Sequence, residues 1–310
     1  MLRFQPPGFG QKSIQCQLGK VAYYTPIAAP WPVGKDQTAI SNASSSDAAS
    51  KQRPIAIFFH NFGGGASAYE WSKVYAALAA NYTVIAPDLI GWGASAHPAR
   101  CYTAQDYIDS IEELIEQVAS GPILAIASSL TAGLVIQLAA KKPALFQKLF
   151  LTCPAGFRDF GENAGRRLPE PIINTPFLDK AIYALGATNE LAVRNFLENF
   201  LFFKRDRLSN ETVSAYLSSA QQSNAEYAAL SFLRGDLYFD LAPHIEQLQV
   251  PTAMVWGEKA QFTSVSLGKR LASLNPYTIK RFQVVSDTGV LPHLEQPGAV
   301  TALLLDWLLD

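Results

Sequence analysis

Short apolar runs alternate with amphipathic stretches along most of this chain. The amphipathic stretches place apolar residues three or four positions apart, as with Trp71, Val74 and Leu78, which is typical of helices that bury one face. The apolar runs between them are bounded by Gly, Pro or polar residues and predict β-strands. Strands separated by helices indicate an α/β fold with a mainly parallel sheet. The predicted core strands span residues 55–59, 83–87, 123–127, 149–153, 253–256 and 281–285.

Two parts of the chain depart from this alternation. Residues 28–53 are rich in Ala, Ser, Pro and polar residues without a hydrophobic period, so they predict a flexible insert that buries too little surface to offset its ordering entropy. Residues 157–241 lack strand signals and carry several helical patterns, which predict a helical lid between two strands. The predicted organisation is a β-hairpin of the core at 1–27, with apolar runs at 14–18 and 20–26 as its strands, the flexible insert at 28–53, the core at 54–156 and 242–310, and the lid at 157–241.

Composition and charge narrow the classes of function. Apolar residues make up 49% of the chain and charged residues 16%, with a net charge of −1, which is typical of a globular domain and unlike a nucleic-acid binder. The most apolar stretch, 122–140, is interrupted by Ser128 and Gln137, so we expect no membrane span. The first residues include prolines and no apolar signal-peptide core, so we expect a cytoplasmic protein. The cysteines lack metal or redox spacing, and no metal or organic cofactor is implied.

Ser129 occupies the position of a nucleophile in a strand–turn–helix context. The predicted strand at 123–127 runs into the Ser-Ser-Leu-Thr sequence at 128–131 and then into a helix rich in Ala and Leu, as a nucleophile elbow requires. Such an elbow needs small residues two positions before and after the serine, where this chain has an alanine and a threonine. Ser128 is the alternative register, and a plain polar turn at the end of a strand is the alternative interpretation.

A glycine-rich loop, His60-Asn61-Phe62-Gly63-Gly64-Gly65, follows the first core strand and precedes a helix. A loop in this place can supply one side of an oxyanion hole, with the backbone N–H groups of Phe62 and Leu130 as donors. We predict that His60, Phe62, Gly63 and Leu130 form the oxyanion and ligand-binding group. Glycine-rich loops also bind phosphate, but this one lacks a Gly-Lys-Ser/Thr ending and a G-x-G-x-x-G spacing, which argues against a nucleotide.

The ordered motifs of the chain together resemble the α/β-hydrolase family over residues 54–310. The Ala-Ser-Ser-Leu-Thr-Ala sequence of the elbow is similar to that of cyanobacterial members of the family. The resemblance implies an eight-stranded, mainly parallel sheet flanked by helices, a lid after the sixth strand, and a triad of Ser, an acid and His. The motifs that carry it lie at residues 60–65, 88–95, 127–132, 154–156, 251–258 and 292–297.

Two substitutions remove the other members of the implied triad. The acid is expected in a Gly-x-x-Asp turn, where this chain has Ala260, and the histidine is expected in the loop after the last strand, where it has Val290. A serine hydroxyl is a weak nucleophile unless a base accepts its proton, which valine and alanine cannot support. Loss of triad members typically lowers the rate by roughly 10⁴-fold or more. His293 is the alternative base, and Glu258 and Asp287 are alternative acids.

These residues support three hypotheses from different classes of function. In the first, a family member with a degenerate triad and little or no catalysis binds a small, apolar, carbonyl-containing ligand through Ser129 and the oxyanion donors. In the second, an active esterase-type serine hydrolase uses His293 as a non-standard base. In the third, the aromatic run at 196–203 contacts a protein partner, although that run can also line an apolar pocket or pack the core of the lid. Nothing in the sequence specifies the ligand or an oligomeric state.

Overall fold

A computed structural model describes residues 1–31, 53–162 and 188–310 of the protein. The strands are β1 Phe9–Cys16, β2 Gly19–Pro26, β3 Ile55–Phe59, β4 Thr83–Pro87, β5 Ile123–Ser128, β6 Phe146–Thr152, β7 Thr252–Gly257 and β8 Ile279–Val285. They form one eight-stranded sheet in the order β1-β2-β4-β3-β5-β6-β7-β8. β2 pairs antiparallel with β1 and β4, and all other neighbouring strands are parallel. The predicted α/β-hydrolase fold, with its mainly parallel eight-stranded sheet, is confirmed.

Helices cover both faces of the sheet. They are α1 Ser72–Tyr75, α2 Ala104–Val118, α3 Ser129–Lys141, α4 Glu190–Phe196, α5 Asn210–Ala220, α6 Ala225–Arg234, α7 Ala242–Glu246, α8 Val265–Ala272, α9 Pro292–Glu295 and α10 Pro297–Leu309. Side chains of α2, α3, α6 and α8 belong to the core on one face, which we call the first face. Side chains of α1 and α10 belong to the core on the other face, the second face.

The buried strands explain why the sequence predicted the sheet well. In β3, Ile57 and Phe59 join the core on the first face, and Ala56 and Phe58 join the core on the second face. Parallel strands that are buried on both faces read as continuous apolar runs. Every predicted core strand is present, and β3 and β4 have the predicted bounds.

The edge strand β1 is longer than the apolar pattern indicated. It begins at Phe9, whereas the pattern predicted a strand from Ile14. An edge strand has a neighbour on one side only, and Gln11, Lys12 and Ser13 are exposed. Its first half therefore pairs with β2 through the backbone without an apolar signal.

Residues 188–241, the larger of the two described parts of the predicted lid, carry three α-helices and are here called the lid segment. α4 is followed by a single π-helical turn at Leu197–Leu201, and α5 and α6 come after it. The predicted lid residues 163–187, and the flexible insert apart from 28–31 and Arg53, lie outside the described residues.

The aromatic run of the lid segment packs largely within the protein. Leu197, Leu201 and Phe202 are buried in a cluster that also contains Val290. Phe203, the last residue of the run, is 40% exposed. The buried members of this run therefore pack against residues of both the lid segment and the core.

Candidate active site

Ser129 stands at the turn from β5 into α3 with a backbone conformation that serine rarely adopts. Its φ is 53°, in the left-handed region, whereas Ser128 is extended with a φ of −129°. A non-glycine residue in that region is uncommon, and such strain concentrates at functional sites. This is the geometry of a nucleophile elbow, which lifts one serine out of the end of a strand. The strained position belongs to Ser129.

The glycine-rich loop emerges beside the elbow. β3 and β5 are parallel neighbours, with Phe59 opposite Ala127, so residues 60–65 and Ser129 leave the sheet at the same edge. The Leu130 N–H lies in the first turn of α3, where backbone donors have no partner within the helix. The Phe62 N–H also has no hydrogen-bond partner among the described residues. Both N–H groups therefore belong to segments that leave the sheet at the same edge as Ser129.

Phe62 anchors this loop with its side chain. The ring is buried and packs edge-on against Trp92 and Tyr107, with ring centroids 5.7 and 4.5 Å away. At Gly63, an added Cβ would lie 3.7 Å from the nearest carbon of the Phe196 ring. The lid segment therefore lies directly over the loop and presents an aromatic side chain to it.

His60 holds the loop in place as a neutral imidazole. Its Nε2 accepts the Leu89 N–H at 3.0 Å, so the proton must be on Nδ1, which donates to the Asn61 carbonyl oxygen at 2.6 Å. Burial lowers the pKa of His60 to about 4. Both ring nitrogens are engaged by the backbone, so His60 shapes the loop and leaves no nitrogen for a ligand.

Glu70 is a site residue that the sequence analysis missed. Its carboxylate is fully buried and accepts the Asn61 N–H at 2.9 Å and the Tyr216 hydroxyl at 2.6 Å. Burial raises its pKa to about 7, against the lowering effect of these two hydrogen bonds. The sequence offered only a weak signal, which is a single acidic residue between Tyr69 and Trp71 in an apolar stretch.

His293 is fully buried and stacks on an aromatic ring of the core. Its ring stacks on Trp71 with centroids 3.8 Å apart, and Trp71 belongs to the core on the second face, opposite α3. Its Nδ1 lies 3.4 Å from Thr152 Oγ1, and its Nε2 lies 4.0 Å from Glu70 Oε2. Burial lowers the pKa of His293 to about 3, so the ring is neutral and the contact with Glu70 is not an ion pair. Within the described chain, no side chain hydrogen-bonds the Ser129 hydroxyl.

Ala260 and Val290 lie on adjoining turns. β7 and β8 are neighbours, and a Cβ placed on Gly257 would lie 1.8 Å from the carbonyl oxygen of Gly289, so the two turns touch. Val290 is 3% exposed, and its N–H donates to the Leu201 carbonyl at 3.1 Å. Neither position carries a titratable side chain.

Glu295 fastens the loop that carries Val290 to the lid segment. Its buried carboxylate accepts the backbone N–H groups of Gly289 at 2.5 Å, Phe203 at 3.1 Å and Lys204 at 3.0 Å. Burial raises the pKa of Glu295, and the three N–H donors lower it. These contacts involve the main chain, so they fix the loop whatever side chain stands at position 290.

The alternative acids face solvent. Glu258 forms a 3.0 Å ion pair with Lys259 and accepts the Asp287 N–H, which is the main reason that its pKa is lowered. The Asp287 carboxylate lies 3.6 Å from the Lys204 ammonium and is about half exposed. Exposed pairs of this kind contribute little energy, and neither carboxylate is hydrogen-bonded to a histidine among the described residues.

The described residues offer little support for a metal site, a membrane span or a disulfide. Within 1–31, 53–162 and 188–310, no group of three or more His, Cys, Asp or Glu side chains could hold a metal ion. No helix in these ranges is long and apolar enough to cross a membrane. Cys16 and Cys153 are buried and Cys101 is exposed, all as free thiols.

Comparison with known proteins agrees with the fold and the order of the motifs. Residues 56–303 match the sequence model of the alpha/beta hydrolase family. The uncharacterized hydrolase YugF of Bacillus subtilis (strain 168) is 24% identical over 246 residues, which cover 78% of this chain and 86% of that protein. The 2-(acetamidomethylene)succinate hydrolase of Mesorhizobium japonicum is 26% identical over 231 residues, 72% of this chain and 77% of that protein.

A solved structure gives the same picture at the level of the fold. The carboxylesterase CesB of Bacillus subtilis superposes with a TM-score of 0.71 at 17% identity, covering 99% of this chain and 94% of that one. At that identity the likeness shows the shared architecture alone.

Proposed function

Because this chain belongs to the alpha/beta hydrolase family, we propose that it is a member that binds a small, apolar, carbonyl-containing ligand at Ser129 and hydrolyses it slowly or not at all. One observation carries the proposal: Ser129 keeps the strained elbow geometry beside free N–H donors, while no base is hydrogen-bonded to its hydroxyl in the described chain. The geometry suits an oxygen of the ligand, and the missing base limits chemistry.

None of the four histidines is hydrogen-bonded to the Ser129 hydroxyl, which supports the proposal. His60 is bound to two backbone groups, and His244 Nε2 lies 2.8 Å from the side-chain nitrogen of Gln137. His97 follows the glycine turn, and burial lowers its pKa. His293 is stacked on Trp71. Without a base, the rate supported by an oxyanion hole and binding falls roughly 10⁴-fold or more below that of a complete triad.

The apolar character of the ligand follows from what lies over the loop. The Phe196 ring is next to Gly63, and Phe200 lies in stacked orientation with Phe262, with centroids 6.3 Å apart. Phe262 and Ala260 join the clusters of both the sheet and the lid segment. An apolar surface near two N–H donors suits a carbonyl group with a hydrocarbon body.

Labelling with a fluorophosphonate tests the proposal directly, because this reagent reports an activated serine without a known substrate. We expect intact-mass analysis to show no rapid labelling of the parent protein. Ser129→Ala and Ser128→Ala are matched controls, since the two serines are neighbours and only Ser129 has the elbow conformation. Rapid single-site labelling that disappears only in Ser129→Ala would show a working base and refute the non-catalytic assignment.

An active esterase-type serine hydrolase is the second candidate. It is favoured by the names of relatives such as the succinate-derivative hydrolase of Mesorhizobium japonicum, and by the intact elbow. In this candidate His293 would have to leave its stack on Trp71 and approach Ser129. His293→Ala should then abolish ester turnover, and equal turnover by this variant and the parent would exclude it.

A further inference from the structure

Glu70 connects the glycine-rich loop to the lid segment through one buried carboxylate. It lies on the short 3-10 turn Ala68–Trp71, immediately after the glycine-rich loop. One carboxylate oxygen accepts the Asn61 N–H, and the other accepts the Tyr216 hydroxyl from α5 of the lid segment. Asn61 is the residue before Phe62, whose N–H is one of the two proposed oxyanion donors.

The helix α5 is seated on the loop by several further contacts. A Cβ placed on Gly65 would lie 2.2 Å from the Tyr216 carbonyl oxygen, so helix and loop are in direct contact. The Ser219 hydroxyl donates to the Ala66 carbonyl at 2.9 Å. Tyr69, the neighbour of Glu70, bonds through its hydroxyl to Thr212 at 3.0 Å. Only the Glu70 carboxylate, among these groups, holds both the helix and the N–H of Asn61.

Among the described residues, no cationic side chain pairs with the Glu70 carboxylate. The titratable groups that face it are the Tyr216 hydroxyl from α5 and the His293 ring from α9, 4.0 Å away. His293 is neutral, because burial lowers its pKa to about 3. Burial raises the pKa of Glu70 to about 7, so this carboxylate changes charge near neutral pH.

We propose that Glu70 is a positioning residue that couples the lid segment to the glycine-rich loop, and that ionised Glu70 clamps the Asn61 N–H and the Tyr216 hydroxyl together. Hydrogen bonds to a charged acceptor are shorter and roughly twice as strong as neutral ones. Protonation converts one carboxylate oxygen into a donor and weakens the clamp. The relevance of the clamp to ligand binding rests on the proposed function, whereas the clamp itself does not.

Amide hydrogen exchange, read by mass spectrometry on the unliganded protein, tests the coupling. Glu70→Gln keeps the shape and an acceptor for Asn61 but removes the charge, and Tyr216→Phe removes one arm of the clamp. After correction for intrinsic exchange, we expect the peptide covering residues 60–66 to exchange about tenfold faster than in the parent at mildly alkaline pH in both variants. Tyr69→Phe is the matched control, since it removes a hydrogen bond to α5 and leaves Glu70 intact.

The pH profile separates coupling from a merely structural role. When the loop opens locally and Glu70 stays buried, the carboxylate loses the hydrogen bonds that lower its pKa, so local protection of residues 60–66 should rise as the pH increases through about 7 in the parent and in Tyr69→Phe, with no such rise in Glu70→Gln. Global unfolding, which exposes Glu70 to water, has the opposite pH dependence. Asp88 also titrates while buried, with a pKa of about 6, so the difference between Glu70→Gln and the parent is the decisive quantity.

An unchanged profile in Glu70→Gln, or unchanged loop exchange in Tyr216→Phe, would overturn the proposal. If Glu70→Gln fails to fold, a flat profile in the parent or an unaltered loop in Tyr216→Phe still overturns it. Because no ligand and no labelling reagent is used, these results are independent of whether Ser129 is catalytically active.

Discussion

Installing an acid and a histidine at positions 260 and 290 is expected to create a measurable esterase. The Ala260→Asp/Val290→His double variant supplies the two side chains that the elbow lacks. The two turns already touch at Gly257 and Gly289, so both new groups start on adjoining segments. Glu295 holds the main chain of the second turn, so the loop should keep its place.

The size of the gain can be bounded. A complete triad accelerates acyl transfer by roughly 10⁴-fold or more over the oxyanion hole alone. The new side chains are not positioned by partners that evolved with them, so we expect a gain of roughly 10²–10³-fold, a part of that factor. Val290→His alone should gain little, because a histidine without an orienting acid loses about 10⁴-fold. Val290 is 3% exposed, so the larger polar ring should cost about 1–3 kcal/mol of stability.

Hydrolysis of short-chain p-nitrophenyl esters measures this gain, with thermal denaturation as the check that each variant is folded. The triple variant that adds Ser129→Ala should return to the parent rate, which shows that the gain passes through Ser129. A folded double variant that is no faster than this triple variant would refute the inference that Ser129 and its N–H donors are ready for catalysis.

Three other substitutions test the energetics of the site. Ser129→Gly should raise the stability by about 1 kcal/mol, because glycine tolerates the φ of 53° without strain, whereas Ser128→Gly should not; thermal denaturation distinguishes them. Glu70 binds more protons folded than unfolded between about pH 4.5 and about 7, so its contribution falls by roughly 3 kcal/mol as the pH rises through that window; urea titrations should show this slope in the parent and its absence in Glu70→Gln. Glu295→Ala should lower the free energy of unfolding by about 2–3 kcal/mol, measured in the same titrations, because it leaves one buried and two half-buried N–H donors without their acceptor. If Glu295→Ala lowered the free energy of unfolding as little as the removal of an exposed carboxylate such as Glu116, the result would contradict the role of the three Glu295 hydrogen bonds.

The fold was predictable because its signals are local. β3, β4, β5 and β7 are largely apolar runs, and the strand–turn–helix at Ser129 needs only the residues on either side of the turn. The edge strand β1 was only half visible, since its exposed residues pair through the backbone. Strands that are buried on both faces can be recognised from the sequence, whereas strand residues that pair only through the backbone cannot.

The candidate site was predictable only in part, because its remaining residues are set by contacts between distant segments. His293 could be named as a candidate base from the sequence. Its stack on Trp71 could not be predicted, because the two residues are far apart along the chain. Glu70 receives one hydrogen bond from a neighbouring loop and one from a helix 146 residues away. No periodicity or motif encodes either arrangement.

The contacts of Glu295 make this protein suitable for measuring how the acid and the histidine of a triad act together. Because the Glu295 carboxylate accepts hydrogen bonds from main-chain N–H groups, we expect the loop to keep its geometry whichever side chain stands at position 290. Rates measured as the acid and the histidine are added separately and together would therefore report how cooperatively the two groups act in an otherwise constant scaffold. Natural enzymes offer only the reverse experiment, in which each deletion also disturbs an architecture shaped around the residue that is lost.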